Sequence, residues 1–136
     1  MDTIEAQKRM WNRFFRIAFD TIRVRDRGTL EFSLAAVIVR GGKILSIGVN
    51  QQKYHSIIDV FKKNPWTNKH AEVDAILQIR QKIDLTGSKI YIARLKLDER
   101  IGLARPCEMC QSILRAYGIK RAIYTIDDVT FGTMRL

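Results

Sequence analysis

The chain has 136 residues, of which 46% are hydrophobic and 28% are charged, and its formal net charge is +10. This size and composition predict a single globular domain over residues 1–136 and exclude an intrinsically disordered chain. No apolar run approaches the roughly 18 residues of a membrane-spanning helix, and the N-terminus lacks an apolar signal segment, so we expect a cytoplasmic protein without a membrane partner.

The N-terminal region predicts an amphipathic helix over residues 4–23, because its apolar residues recur at helical spacing. The apolar stripe consists of Trp11, Phe15, Ala18 and Ile22. The mixture of aromatic and arginine residues in "WNRFFR" also occurs on nucleic-acid-binding surfaces. We favour the interpretation that the aromatic residues pack on a sheet.

The next segment predicts a β-hairpin. Residues 30–40 become continuously apolar, as in a strand covered on both faces, and residues 43–50 return as its partner. Gly41 and Gly42 supply a two-residue turn between them. A long loop over residues 51–69 follows, and loops of that length in small domains are often functional.

Helices and strands alternate in the second half of the chain. The predicted elements are a helix over 70–83, a strand over 89–96, a charged loop over 97–105, a helix over 107–118 stopped by Gly118, and a strand over 120–126. This alternation predicts an α/β sandwich with helices on the faces of the sheet. In such folds, ligands bind beyond the carboxyl ends of the strands.

Two short motifs lie at predicted helix starts: "KHAEVDAI" at residues 69–76 and "RPCEMCQ" at residues 105–111. The imidazole of His70 and the thiolates of Cys107 and Cys110 would make a three-ligand zinc site, which leaves the fourth tetrahedral position to water. Zinc in such a site lowers the pKa of water to roughly 7. Glu72 lies two residues after His70, where its carboxylate could move the proton of that water as a general acid–base.

Each motif also has a simpler explanation. Glu72 in the first turn of a helix interacts favourably with the helix dipole. The C-x-x-C pair could be a redox pair, and His55 could supply a fourth ligand and close a purely structural site. A basic, zinc-stabilised binding module without enzymatic activity is a further alternative. The combination of both motifs at two helix starts favours the catalytic zinc site.

The same motifs resemble those of the zinc-dependent cytidine and deoxycytidylate deaminase superfamily. The similarity runs from about Leu30 to Thr125 and includes "GVNQQK", "HAEVDAI", "ARPCEMC" and "GIKRAIYT". It implies a three-layer α/β/α sandwich with a mixed central sheet of about five strands. It also implies Zn²⁺ on His70, Cys107 and Cys110, with Glu72 as the proton shuttle.

The resemblance further implies how a substrate would be held. Asn50 corresponds to the asparagine that contacts the sugar, and the backbone N–H of Ala71 and the carbonyl of Arg105 would hold the pyrimidine edge. The implied reaction is hydrolysis at the amino-bearing ring carbon with loss of ammonia. Family members of this kind self-associate, so a homo-oligomer is expected.

Two residues separate this chain from the nucleoside-type tetrameric enzymes. Those enzymes have Cys as the first zinc ligand and Arg after the second cysteine of P-C-x-x-C, where this chain has His70 and Gln111. This favours the branch that acts on deoxycytidylate, tRNA and polynucleotides. That branch often ends in a helix and a parallel strand, whereas residues 130–136 fit a final hairpin strand better.

The substrate predicted from the sequence is a free cytosine nucleotide or nucleoside such as dCMP, which would be converted to the uracil form. The alternative is a polynucleotide deaminase acting on cytosine or adenine in single-stranded DNA or tRNA. The net charge of +10 favours an anionic partner and keeps nucleic acid open as one. However, the basic residues are spread along the chain, and we favour the small substrate.

Overall fold

The computed structural model of the chain describes residues 11–24, 32–50, 70–79 and 83–136. These ranges contain three helices and six strands. The helices are α1 (Arg13–Val24), α2 (Ala71–Leu77) and α3 (Glu108–Ala116). The strands are β1 (Phe32–Arg40), β2 (Lys43–Val49), β3 (Lys89–Lys96), β4 (Ile101–Gly102), β5 (Arg121–Thr125) and β6 (Phe131–Arg135). Within the described ranges, every helix is too short or too polar to cross a membrane.

The strands form one mixed sheet in the order β2-β1-β3-β5-β6, and β4 pairs with β3 outside this path. The β3–β5 pair is parallel and the other pairs are antiparallel. The mixed sheet is confirmed, with six strands rather than about five. The expected final hairpin strand is β6, which pairs antiparallel with β5.

The additional strand, β4, lies inside the segment predicted to be a loop over 97–105. A tight turn precedes it: Glu99 has a φ of 69°, and the Asp98 carboxylate accepts a 3.0 Å hydrogen bond from the N–H of Arg100. Ile101 and Gly102 then pair with β3. Two residues are too few to show strand periodicity, so the sequence pattern could not reveal this strand.

The predicted β1–β2 hairpin is confirmed. Gly41 and Gly42 have φ values of 59° and 77°. Two successive positive φ values are those of a type I′ turn, whose twist matches that of the paired strands and which glycine adopts without strain. The register shifts between Val39 and Ile38, and beyond this irregularity Ile38 lies opposite Ser46 and Ala36 opposite Gly48.

Helix α1 covers one face of the sheet. Its buried side chains are Phe15, Ala18, Phe19 and Ile22. They pack with Trp11 on strand residues that include Val37, Ala93, Leu95 and Ile123. The packing role of the predicted apolar stripe is therefore confirmed. The predicted helix over 4–23 was wrong at residues 11 and 12: α1 begins at Arg13, because the side-chain oxygen of Asn12 accepts hydrogen bonds from the N–H groups of Phe14 and Phe15 and caps the helix there. Residues 1–10 lie outside the described part of the chain.

Helices α2 and α3 cover the opposite face. Val73 and Ile76 of α2 and Ile113 and Leu114 of α3 pack in one core cluster with sheet residues. The sheet residues in this cluster include Ala36, Ile38, Ile90, Ile92 and Ala122. Each fully buried leucine or isoleucine side chain contributes about 1.5–3 kcal/mol to the free energy of unfolding relative to its exposed state. Helices on both faces confirm the three-layer α/β/α sandwich.

The two helices on this face end differently. In α2, the N–H of Ile79 bonds the carbonyl of Ile76, three residues back, at 3.2 Å. This tightened last turn ends α2 at Leu77, earlier than the predicted 83. In α3, Gly118 has a φ of 84° and stops the helix as predicted.

Candidate metal centre

The N-termini of α2 and α3 place the three predicted zinc ligands beside each other. His70 is the N-cap residue of α2 and Cys107 is the N-cap residue of α3. Both have extended backbone conformations, and neither side chain makes a capping hydrogen bond. Because a C-x-x-C spans one helical turn, Cys110 lies on the same side of α3 as Cys107. All three side chains are therefore directed to one place.

The distances between the donor atoms fit a tetrahedral zinc site. The Nδ1 atom of His70 lies 3.2 Å from the sulfur of Cys110 and 3.7 Å from the sulfur of Cys107, and all three donor atoms lie within 4.8 Å of one another. With ordinary zinc bond lengths, tetrahedral geometry separates a nitrogen and a sulfur ligand by about 3.6 Å. The donors thus need little rearrangement to hold the ion, and Nδ1 rather than Nε2 faces the sulfurs.

The two thiols are strongly coupled. A hydrogen bond from the Cys110 thiol lowers the pKa of Cys107 to about 3, so Cys107 is a thiolate near neutral pH. The same hydrogen bond, together with burial, raises the pKa of Cys110. In the absence of a cation, the pair therefore keeps one proton between its sulfurs. A divalent cation takes the place of that proton, as expected for thiolate ligands.

Glu72 lies in the first turn of α2, directly beside the donor atoms. Its side chain is 4% exposed and forms a hydrogen bond with Cys110. Burial raises the pKa of the Glu72 carboxyl, and the neighbouring His70 partly offsets this effect. A raised pKa makes the carboxylate a stronger proton acceptor, and the proton that it takes up can then be passed on, as a general acid–base requires.

Strand β2 fixes the position of α2 through contacts that the sequence analysis missed. Gly48 has no room for a side chain: a Cβ atom there would lie 2.1 Å from the backbone nitrogen of Ala75. The buried Asp74 carboxylate accepts a hydrogen bond of 2.8 Å from the N–H of Val49, and the hydroxyl of Ser46 donates to the carbonyl of Ala75. The glycine in "SIGVN" and the acidic residue after "HAEV" were the available signals.

The three residues that are predicted to contact the substrate all belong to the described part of the chain. Asn50 follows β2; its side-chain oxygen accepts a 2.9 Å hydrogen bond from the N–H of Leu34, which orients the side chain. Ala71 is the first residue of α2, where backbone N–H groups have no intrahelical partner. Arg105 is exposed. Their proposed contacts with a substrate remain predictions.

Two nearby segments also bear on the site. The carbonyl of Pro106 accepts a 2.8 Å hydrogen bond from Nε2 of Gln111, which ties the segment before Cys107 to α3. His55, the alternative fourth ligand, belongs to residues 51–69, which lie outside the described part of the chain.

Comparisons with known proteins agree with this arrangement. The family model described as the cytidine and deoxycytidylate deaminase zinc-binding region matches residues 9–126. Among solved structures, a dCMP deaminase from the cyanophage S-TIM5 in apo form is similar, with 20% identity, a TM-score of 0.57, and coverage of 93% of this chain and 86% of that one. No curated protein sequence matches the chain.

A structure of the cyanophage S-TIM5 dCMP deaminase in complex with dCMP and dUMP is also similar. It has 18% identity, a TM-score of 0.55, and coverage of 91% of this chain and 82% of that one. At such identities, the two structures establish the shared fold. The family match spans most of the chain and covers all three donor residues, and zinc is the ion that the matched region binds and that the donor set fits. The chain therefore belongs to the cytidine and deoxycytidylate deaminase family.

Proposed function

We propose that the chain is a hydrolytic deaminase that converts the cytosine of a free deoxycytidine or cytidine nucleotide, such as dCMP, to uracil. The observation that carries this proposal is a buried carboxyl, Glu72, hydrogen-bonded within a set of one nitrogen and two sulfur donors. The two thiols and one imidazole account for three ligands, which is the number found in catalytic zinc sites rather than structural ones.

His70, Cys107 and Cys110 would hold the ion through Nδ1 and the two sulfurs. Zinc held there would supply a Lewis acid that makes water nucleophilic near neutral pH. Overall, a C–O bond forms from water at the amino-bearing ring carbon, the C–N bond breaks, and ammonia leaves. The reaction needs no oxidant or reductant, so proton transfer by Glu72 is sufficient to complete it.

Glu72 would act twice in this reaction. Its carboxylate takes a proton from water while the ring carbon is attacked and passes it to the ring nitrogen next to that carbon. It then moves the second proton of the water to the amino group, which leaves as ammonia while the C=O bond of uracil forms. Burial disfavours the charged form, which raises the pKa of this carboxyl and makes its carboxylate a better proton acceptor in the first step. Its position in the first turn of α2, two residues from His70, keeps it within reach of the reacting atoms.

The substrate would lie across the N-terminus of α2. In this proposal, the side chain of Asn50 contacts the sugar, while the N–H of Ala71 and the carbonyl of Arg105 bind the edge of the pyrimidine. Asn50 is held at the end of β2 by Leu34, and Ala71 begins the helix that carries Glu72. Sugar and base would thus be read by groups on the two elements that Gly48 and Asp74 hold together.

A free nucleotide is favoured over a polynucleotide as the substrate. The similar cyanophage structure contains dCMP and dUMP. The described residues include no added nucleic-acid-binding module beside the metal centre.

A deamination assay tests this choice. Purified protein loaded with zinc is incubated with cytidine, deoxycytidine, CMP, dCMP, single-stranded DNA and tRNA at equal base concentration, and released ammonia is measured. Deamination of dCMP at the highest kcat/KM is the expected result, and Cys110→Ala provides the background rate. Preferential turnover of single-stranded DNA or tRNA would overturn the assignment of a free nucleotide.

A further inference from the structure

Four basic residues line an open concavity at the end of the sheet opposite the metal centre. The concavity has a volume of about 430 Å³ and is lined by Lys89, Lys120, Arg121 and Arg135. Lys89 begins β3 and Arg121 begins β5, whereas Arg135 ends the antiparallel β6. The metal centre lies beyond the other ends of these strands, and β3 alone, at eight residues, spans roughly 25 Å.

Strand register places three of these residues in one lateral row. Lys89 pairs with Arg121 across the parallel β3–β5 ladder, and Arg121 pairs with Arg135 across the antiparallel β5–β6 ladder. Paired residues on neighbouring strands point to the same face, so three cationic side chains leave the sheet side by side. We call Lys89, Arg121, Arg135 and the adjoining Lys120 the basic row.

The backbone under the basic row is held in place. The N–H of Lys120 bonds the carbonyl of Ser88 at 2.9 Å, and the carbonyl of Lys120 accepts from the N–H of Leu136 at 2.9 Å. The strand residues next to the row are packed: Tyr91 contacts the rings of Phe14 and Phe15 at 5.0 and 5.4 Å. The cations therefore project from a fixed platform.

This arrangement is unfavourable without a ligand. Like charges directly opposite each other on neighbouring strands destabilise a sheet. Among the residues that the structure describes, the ion pairs are Arg23 with Glu99 and Arg100 with Asp98, and none involves the basic row. A concave group of adjacent cations outside those ion pairs is complementary to a ligand that brings several negative charges close together.

We infer that the basic row binds a ligand with several closely spaced phosphate charges, at a site separate from the metal centre. Two arginines supply planar guanidinium groups that can each bind a phosphate through two hydrogen bonds, and the lysines add point charges. The shared chemistry is a series of closely spaced phosphate charges, linked directly in a small polyphosphate and through sugars in the backbone of a single-stranded nucleic acid. Binding here requires no base contact and depends on salt.

The test uses two probes on the full zinc-loaded chain. One is inorganic tripolyphosphate, measured by titration calorimetry. The other is a fluorescent single-stranded oligonucleotide of about 12 nucleotides, measured by anisotropy. The double variant Arg121→Gln/Arg135→Gln is compared with a charge-matched control, Arg16→Gln/Arg115→Gln, whose residues are exposed elsewhere.

The double variant should weaken binding of at least one probe about tenfold, whereas the control should bind like the unmodified chain. For the oligonucleotide, loss of two phosphate contacts should also reduce the slope of log K against log salt by about 1.4. Binding of tripolyphosphate alone would assign a small polyphosphate, and binding of the oligonucleotide in competition with tripolyphosphate would assign a nucleic-acid backbone.

Two readouts separate this role from a structural one. Neutralising the row should leave the free energy of unfolding unchanged or higher, because repulsion is removed, and dCMP turnover should not change. The inference is overturned if neither probe binds the unmodified chain. It is equally overturned if the double variant and the control bind both probes alike, even when the deaminase activity is present.

Discussion

The two N-cap residues of the metal centre do not stabilise the helices that they begin. Ser, Thr, Asp and Asn are the residues that stabilise helix N-termini, by about 1 kcal/mol relative to residues that do not cap. The chain has His70 and Cys107 at these positions, and neither side chain caps its helix. Both side chains instead face the metal centre. A bound cation would tie these uncapped helix starts together.

A single substitution at the exposed end of the donor set tests the ligand assignment. Cys107→Ala should reduce zinc from one ion per chain to well below one after dialysis against a chelator, because only two donors remain. Cys107 is exposed, so its truncation leaves no core cavity. Zinc content is measured by atomic emission. Chelation should lower the thermal midpoint of the unmodified chain but not that of the variant.

The matched control for this substitution is Glu108→Gln, which changes the exposed neighbour on the same helix turn. It should keep one zinc per chain. If Cys107→Ala also kept one tightly bound zinc, the ligand set would be incorrect. A fourth ligand such as His55 would then have to be considered.

Among the secondary-structure elements, those with strong local patterns were predicted well. The Gly41–Gly42 turn joins the two strands of the hairpin, and Gly118 ends α3, so both features can be read from adjacent residues. The stripe in α1 was recognised from its spacing. The metal centre could also be predicted from the sequence, because His70 and the C-x-x-C motif begin helices whose positions follow from the alternation of strands and helices.

Features that depend on distant contacts were not predicted. Strand β4 has two residues and exists through its pairing with β3. The early end of α2 reflects its last turn and not the apolar pattern, which continues to Ile83. The close approach of α2 to Gly48 joins residues that are distant in the chain. No local periodicity encodes such contacts, although they position Glu72.

The α2–β2 contact gives a prediction at the level of these elements. Gly48→Ala should lower the free energy of unfolding by about 1–3 kcal/mol, the usual effect of overpacking. The added Cβ would meet backbone atoms of Ala71 and Ala75, which cannot rotate away. Because α2 carries His70 and Glu72, its displacement should also weaken zinc binding. Urea denaturation and zinc titration measure the two effects.

Gly102→Ala is the control for this substitution. A Cβ at Gly102 would lie 3.1 Å from side-chain atoms of Arg94 and Lys96, which are flexible and can move. It should therefore change stability much less. Equal effects of the two substitutions would contradict the proposed role of Gly48 in seating α2.

For the whole molecule, the net charge of +10 has at least one local concentration, in the basic row far from the metal centre. In the sequence this charge is dispersed, because the four residues of the basic row are separated along the chain. Only the strand register brings Lys89, Arg121 and Arg135 side by side. Cytoplasmic location and self-association stay predictions, and size-exclusion chromatography with light scattering measures the latter.

The central claim is that Glu72 transfers protons beside a zinc ion held by His70, Cys107 and Cys110. The most direct measurement is the turnover of dCMP by zinc-loaded Glu72→Gln, with zinc content determined on the same sample. The substitution preserves shape and removes the titratable group, so kcat should fall by about 10²- to 10⁴-fold while one zinc per chain remains. A zinc-loaded variant that deaminates dCMP at the unmodified rate would contradict this mechanism.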